Sequence, residues 1–284
     1  MNRLIINPIG GLANRMRFIA SSLTLAKELG ADYRVVWLRN WEIGASFDQI
    51  FEVPSELEQL IEYPSPLWYS LLYSIPRKKN FYVTSLTRRR FALALNDASS
   101  PMLDILHGDC PDDQLRELLA TVKSSRDIFI QGGTNIYHYS PEFYRRLFRL
   151  KANLQRRVEN VIAGLGDKAV GVHIRRTDNR MSIENSPESI FEKAMLRELE
   201  NAPSTKFYLS TDSEEVKARF KAKFGERVMV STSVARRDTL EGIEDAAVEM
   251  YVLAHTTKIY GSFYSSFSDA AAMLGDIPLV ILKN

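Results

Sequence analysis

From residue 169 onward the sequence alternates strand-length apolar runs with helix-length amphipathic ones, and no other feature restricts the fold as tightly. Candidate strands lie at 169–174, 206–210, 228–231, 258–260 and 279–282, separated by helical patterns at 187–201, 213–224, 239–254 and 265–274. Strands joined by helices of this length pair in parallel and build an open α/β sheet. The first forty residues repeat the theme. Leu4-Ile5-Ile6 is a strand, Pro8-Ile9-Gly10-Gly11 a turn, and Leu12, Met16, Ile19, Leu23 and Ala26 mark a helix over 12–29. Gly30 stops that helix, and a second strand follows over 33–38. Prolines at 54, 64, 66, 76, 101 and 111 break up the next stretch into short helices and loops. A strand over 126–131 ends at Gly132-Gly133, and helices follow over 141–150 and 152–165. The expected architecture is α/β, with domains over 1–160 and 161–284 and a cleft between them.

Composition narrows the class without naming a function. With 284 residues, 45% of them hydrophobic and 25% charged, the chain can bury a core and is neither a disordered segment nor a fibre. Cys110 is the single cysteine, so no internal disulfide and no thiolate metal cage can form. A reducing, cytoplasmic setting is the expectation, since the N-terminus has no signal-peptide pattern and no run approaches the ~18 apolar residues of a membrane span. The apolar stretch 68–75 reads as a core helix or as a surface touching a lipid-linked substrate, which would be a peripheral membrane contact at most. Arg77 to Arg90 carries six cations around Phe81 and Tyr82, but a net charge of +2 argues against a nucleic-acid partner.

Open parallel sheets bind ligands beyond the carboxyl ends of their strands. Four such ends carry suitable chemistry: 7–15 with Gly10, Gly11, Asn14 and Arg15; 173–178; 210–214; and 261–266. Arg175 and Arg176 follow a buried strand containing His173. Successive residues face opposite ways, so one guanidinium is free to fork onto a phosphate while the other pairs with Asp178 and holds the turn. A plain surface Arg-Asp pair is the alternative. Ser265 and Ser266 open a helix, either as an anion site or as simple caps. Ser210 and Thr211 lead into Asp212, which reads as the N-cap of the next helix, with Glu215 completing a capping box. Gly10-Gly11 lacks the third glycine of a dinucleotide fingerprint, and no Walker A sequence occurs. With no Asp-x-Asp pair and with His107, His138, His173 and His255 scattered, no metal is expected.

The segment 10–17, Gly-Gly-Leu-Ala-Asn-Arg-Met-Arg, resembles the Gly-Gly-Leu-Gly-Asn-Gln-Met opening of α-1,2-fucosyltransferases. The segment 173–178, His-Ile-Arg-Arg-Thr-Asp, resembles the His-x-Arg-Arg-x-Asp motif of the wider fucosyltransferase superfamily, which includes α-1,6 and protein O-fucosyltransferases. Segments 207–212 and 262–269 stand in the order of its second and third motifs. The resemblance implies a GT-B-like fold of two Rossmann-like domains and an inverting, metal-independent transfer of fucose from GDP-fucose to a glycan acceptor, in surface polysaccharide synthesis. It implies that Arg175 binds the diphosphate with support from Arg176 and Asp178. It places Ser210, Thr211 and Asp212 near the guanosine, and Ser265 and Ser266 near the phosphates. Gly10, Gly11, Asn14 and Arg15 border the cleft from the N-terminal side. Ala13 and Arg15 depart from the α-1,2 opening.

The chemistry is self-consistent: negative charge grows on the departing diphosphate, and without a metal a fixed guanidinium and helix-start amides must meet it. Inversion calls for a general base. Glu184, one residue beyond the position of a glutamate in some α-1,6 relatives, and Asp178 are the candidates. A non-catalytic module that binds a nucleotide or glycan, or a transferase for another nucleotide sugar, are the alternatives.

Overall fold

The computed structural model describes residues 3–58, 60–65, 67–68, 83–97, 112–166 and 168–284. The stretch 69–75, the cations at 77–79, Phe81, Tyr82, His107 and Cys110 lie outside the described residues. The chain divides into two compact units, Met1–Arg149 and Leu150–Asn284. A split at 160 would cut the helix Ala152–Leu165, which packs on Leu240–Ala254 of the second unit.

In the first unit, strands β1 (Arg3–Pro8), β2 (Asp32–Val36), β3 (Ile61–Glu62), β4 (Leu93–Asn96) and β5 (Asp127–Gly132) form one sheet in the order β3-β2-β1-β5-β4. Every pair is parallel. Helix α1 (Leu12–Glu28) covers it, burying Met16, Ile19, Leu23 and Ala26 as the sequence periodicity predicts. Its end is also as predicted: Gly30 takes φ +59°, a left-handed conformation that a side chain disfavours. Trp37, Phe47, Phe51 and Phe148 are fully buried beside one another, with neighbouring ring centroids 5.2–6.2 Å apart. Of the basic run, Arg88, Arg89 and Arg90 form the last turn of a short helix, Ser85–Arg90, where cations suit the helix dipole.

The second unit follows the same plan for its first three strands but exchanges the last two, its fourth strand lying inside the sheet and its fifth at the edge. Strands β6 (Val170–Ile174), β7 (Phe207–Thr211), β8 (Val228–Val230), β9 (Ile259–Ser262) and β10 (Leu279–Leu282) order as β10-β9-β6-β7-β8, again all parallel. Val170, Val172, Ile174, Phe207 and Leu209 pack with Phe191, Met195, Phe220 and Phe224 from two helices, Glu188–Asn201 and Glu214–Phe224. In both sheets the chain first winds outward to one side and later returns to the other. The reversal lies between β1 and β5 in one unit and between β6 and β9 in the other. The carboxyl ends of those strand pairs are where a ligand finds room between diverging connections.

Candidate functional site

At the reversal in the second unit, the turn leaving β6 is tied to β9. The Arg175 amide donates to Ser262 Oγ at 3.0 Å, and Ser262 Oγ donates to the His173 carbonyl at 3.3 Å. From the other side Asp212, the first residue past β7, clamps the same turn. It accepts from the amides of Arg176 (2.7 Å) and Thr177 (3.3 Å) and from Thr177 Oγ1 (2.7 Å), and it lies 3.1 Å from Arg175 Nε. Burial alone would raise the Asp212 carboxyl. The Arg175 charge and those hydrogen bonds outweigh it and hold the group below the usual carboxylate range.

The capping expectation for Asp212 is therefore overturned. Ser213 caps helix Glu214–Phe224, accepting from the Val216 amide at 3.4 Å. With the cap supplied by the next residue, Asp212 is released to hold the arginine turn. Its side chain is only 9% exposed, so removing it strips charge and hydrogen bonds from a buried turn. Asp212→Ala should cost about 3 kcal/mol in urea unfolding; a loss below about 0.5 kcal/mol would mean the clamp carries no load.

The two arginines diverge as strand geometry requires, but the partners differ from expectation. Arg175 pairs with both Asp178 and Asp212 and keeps 18% of its side chain exposed. Arg176 turns inward: Nη2 donates to the Ser186 carbonyl, Nη1 to the Arg175 carbonyl at 2.9 Å, and Nε lies 3.3 Å from Glu188. Burial lowers its guanidinium from the ordinary value, and Glu188 opposes that shift. It is thus Arg176, through Glu188 rather than Asp178, that anchors the turn in the fold.

Beneath the turn, His173 is buried with its ring stacked on Phe267, centroids 4.8 Å apart. Burial, assisted by the Arg175 charge, pushes the imidazole down to about 3, so it is neutral at pH 7. His173 Nδ1 is buried without a hydrogen-bond partner among the described residues. Phe267 lies in the first turn of helix Ser266–Gly275. Ser265 precedes that helix but its side chain accepts no hydrogen bond from the first-turn amides, so simple capping does not explain it. Tyr264, just before, holds φ +59°, a strained setting for a side-chain-bearing residue and one that recurs at functional sites. Asn179 Nδ2 secures it by donating to the Tyr264 carbonyl at 2.7 Å.

Not every sequence candidate joins this group. Ser210 is buried and donates to Glu249 at 2.6 Å, within the unit. Burial raises the Glu249 carboxyl against the hydrogen bonds from Ser210 and Ser231. Thr211, also buried, accepts from the Ser213 amide at 3.3 Å. Glu184 is exposed on helix Arg180–Asn185 and pairs with Arg180 at 2.6 Å. Ser266 is half-buried.

The first unit builds its own turn at the β1/β5 reversal. Gly10 takes φ +83°, a conformation that a side chain disfavours, with the Asn14 side chain packed close against it. Gly11 is the extended N-cap residue just before α1. Arg15, expected at the edge of a binding cleft, is instead 1% exposed. It donates to the Gly10 and Leu38 carbonyls at 2.9 and 2.8 Å and lies over Trp37, 5.1 Å from the ring centroid. Arg15 holds the turn from within; Asn14, partly exposed and with Oδ1 unpartnered among the described residues, is the side chain left at its surface. Two carboxylates that sequence patterns do not single out complete the turn. Glu42, buried and with its carboxyl raised by burial, accepts from the Gly10 amide at 3.1 Å. Asp97 accepts from the amides of Gly133 and Thr134 at 2.6 and 2.9 Å. Asp97 does for the end of β5 what Asp212 does for the end of β6. Among the described residues, no group of three or more His, Cys, Asp or Glu side chains is placed to hold a metal ion.

Solved structures share this architecture. The NodZ α-1,6-fucosyltransferase soaked with GDP-fucose superposes with a TM-score of 0.62 at 16% identity, over 99% of this chain and 94% of that one. A variant of Arabidopsis thaliana FUT1 in complex with GDP gives 0.61 at 13% identity, over 99% and 70%. POFUT1 in complex with GDP-fucose gives 0.54 at 8% identity, over 99% and 97%. The chain has the GT-B fold of these fucosyltransferases. That agrees with the two parallel five-stranded sheets and with the fold implied by the arginine motif. No family model and no curated protein matches the sequence. No described helix is long and apolar enough to cross a membrane.

Proposed function

We propose that this chain transfers fucose from GDP-fucose to a glycan acceptor, with inversion at the sugar carbon and without a metal. The observation that carries the proposal is the clamped Arg175, presented at the sheet reversal beside the start of helix Ser266–Gly275. The neighbours with this fold bind GDP or GDP-fucose, which supports the donor.

As the bond from the sugar carbon to the diphosphate oxygen breaks, the electron pair leaves with the phosphate. Arg175 meets that growing charge with donors already fixed by Asp212, so little reorganisation is needed at the moment of reaction. The amides opening helix Ser266–Gly275 add a second positive field. The acceptor hydroxyl attacks the opposite face and must lose its proton. Both Asp178 oxygens hold guanidiniums, which makes that residue a clamp. Glu184, exposed on the neighbouring helix, pairs with Arg180 through Oε1 alone, and we assign it the proton.

Nucleotide titration tests the donor. GDP should raise the melting temperature and bind at least about tenfold more tightly than ADP or UDP. Transfer should then be unchanged by EDTA. GDP bound without turnover for any glycan would indicate a binding module. Loss of activity in EDTA with recovery in Mn²⁺ would overturn the metal-free mechanism.

A further inference from the structure

Arg175 stands among more negative charge than it can balance. Asp178 and Asp212 both pair with it, so these three groups alone carry an excess anion, which opposes a diphosphate. The deficit is met from the loop that joins β8 to helix Leu240–Ala254, where Arg237 Nη1 lies 2.9 Å from Asp178 Oδ2. One carboxylate thus holds two guanidiniums side by side, through separate oxygens.

The loop is seated for this purpose. A Cβ at Gly242 would run into the Arg236 carbonyl oxygen, so only glycine lets the loop lie so close on the helix. Thr239 Oγ1 caps the same helix, accepting from the Gly242 amide at 3.1 Å. Arg236 turns away to pair with Asp238 at 3.3 Å. Arg237 itself keeps 40% of its side chain exposed, enough to reach an incoming ligand.

We propose that Arg237 is a second diphosphate-binding cation, held beside Arg175 by Asp178. The assignment rests on the GDP-fucose reading, and it adds a residue outside the motifs that suggested it. Two guanidiniums around one carboxylate give the site both the charge and the spacing to grip adjacent phosphates where no metal bridges them.

Calorimetric titration of the full chain with GDP, GMP and guanosine tests the role, with melting temperature as the control for folding. Arg237→Ala should weaken GDP at least about tenfold, the loss of one charge-assisted contact, while GMP changes less than about twofold and guanosine not at all. Arg237→Lys should restore most of the GDP affinity. Equal losses for GDP and guanosine would make Arg237 a structural residue and overturn the proposal, as would GDP affinity within about twofold of wild type in Arg237→Ala. If the wild-type chain fails to bind GDP, the donor assignment itself falls; wild-type binding with an indifferent Arg237→Ala removes only this inference.

Discussion

Arg175→Ala is expected to lower fucose transfer about 10²–10³-fold, the cost of removing one preorganised donor from a developing anion. The loss should fall on the turnover rate at saturating donor, because the charge that Arg175 meets is largest in the transition state. The variant also leaves Asp212 without its ionic partner, although the amides of Arg176 and Thr177 and the Thr177 hydroxyl still donate to it. Arg175→Lys separates the two effects. It retains a charge against Asp212 and hence most of the stability, yet lacks the planar fork and should recover little activity. Rates from donor-saturated assays, read beside melting temperatures for both variants, decide the matter. Full activity in a folded Arg175→Ala would remove the residue from the chemistry.

The second large effect is on stability. His173 has an imidazole held at about 3 in the folded chain by burial, against about 6.5 when unfolded. Between those values the unfolded chain binds the proton and the folded chain does not. Stability is therefore full above about pH 6.5, falls as the pH drops through this window, and levels off below about 3. From pH 7 to pH 5 the group alone should cost about 2 kcal/mol. Asp212, whose folded value is depressed, adds its own loss only at lower pH, below the ordinary carboxylate value. Urea unfolding at pH 7 and pH 5 should show the drop in wild type and a shallower one in His173→Phe, which preserves the stacking surface for Phe267. NMR provides an independent reading: of the four histidines, one should show no titration between pH 5 and 8. An imidazole at position 173 that titrates near 6.5 would contradict the burial argument.

The pattern of strands and helices was legible because apolar spacing survives in the folded chain. The helix over 152–165 and the strand over 279–282 lie where their periodicity places them. Strand ends were less visible. β7 runs on through Thr211 and β9 through Ser262, polar residues that a parallel neighbour pairs but whose composition says turn. The edge strands Ile61–Glu62 and Leu93–Asn96 carry too few residues to show alternation among the prolines, and helix Arg180–Asn185 is too short to show a period.

At the site, the arginine pair and the two serines declared themselves through residue type and position after a strand. What the residues touch did not. Asp212 and Ser213 are adjacent and either can cap a helix; only the position of the β6 turn decides that the serine does so. Arg15 has the composition of a ligand-binding residue, yet the Leu38 and Gly10 carbonyls draw it inward. Asp97, Glu42 and Arg237 come from loops without periodicity and reach their turns across 36, 32 and 59 residues of chain. Such contacts exist only after the sheets have formed.

A crystal structure of the chain with GDP is the most direct test of the central claim. The terminal phosphate should lie within about 3 Å of Arg175 donors, with Asp212 still clamping the turn and Phe267 and Ser265 close to the nucleotide. A nucleotide bound at any other strand end, with Arg175 still paired only to its two aspartates, would contradict the account.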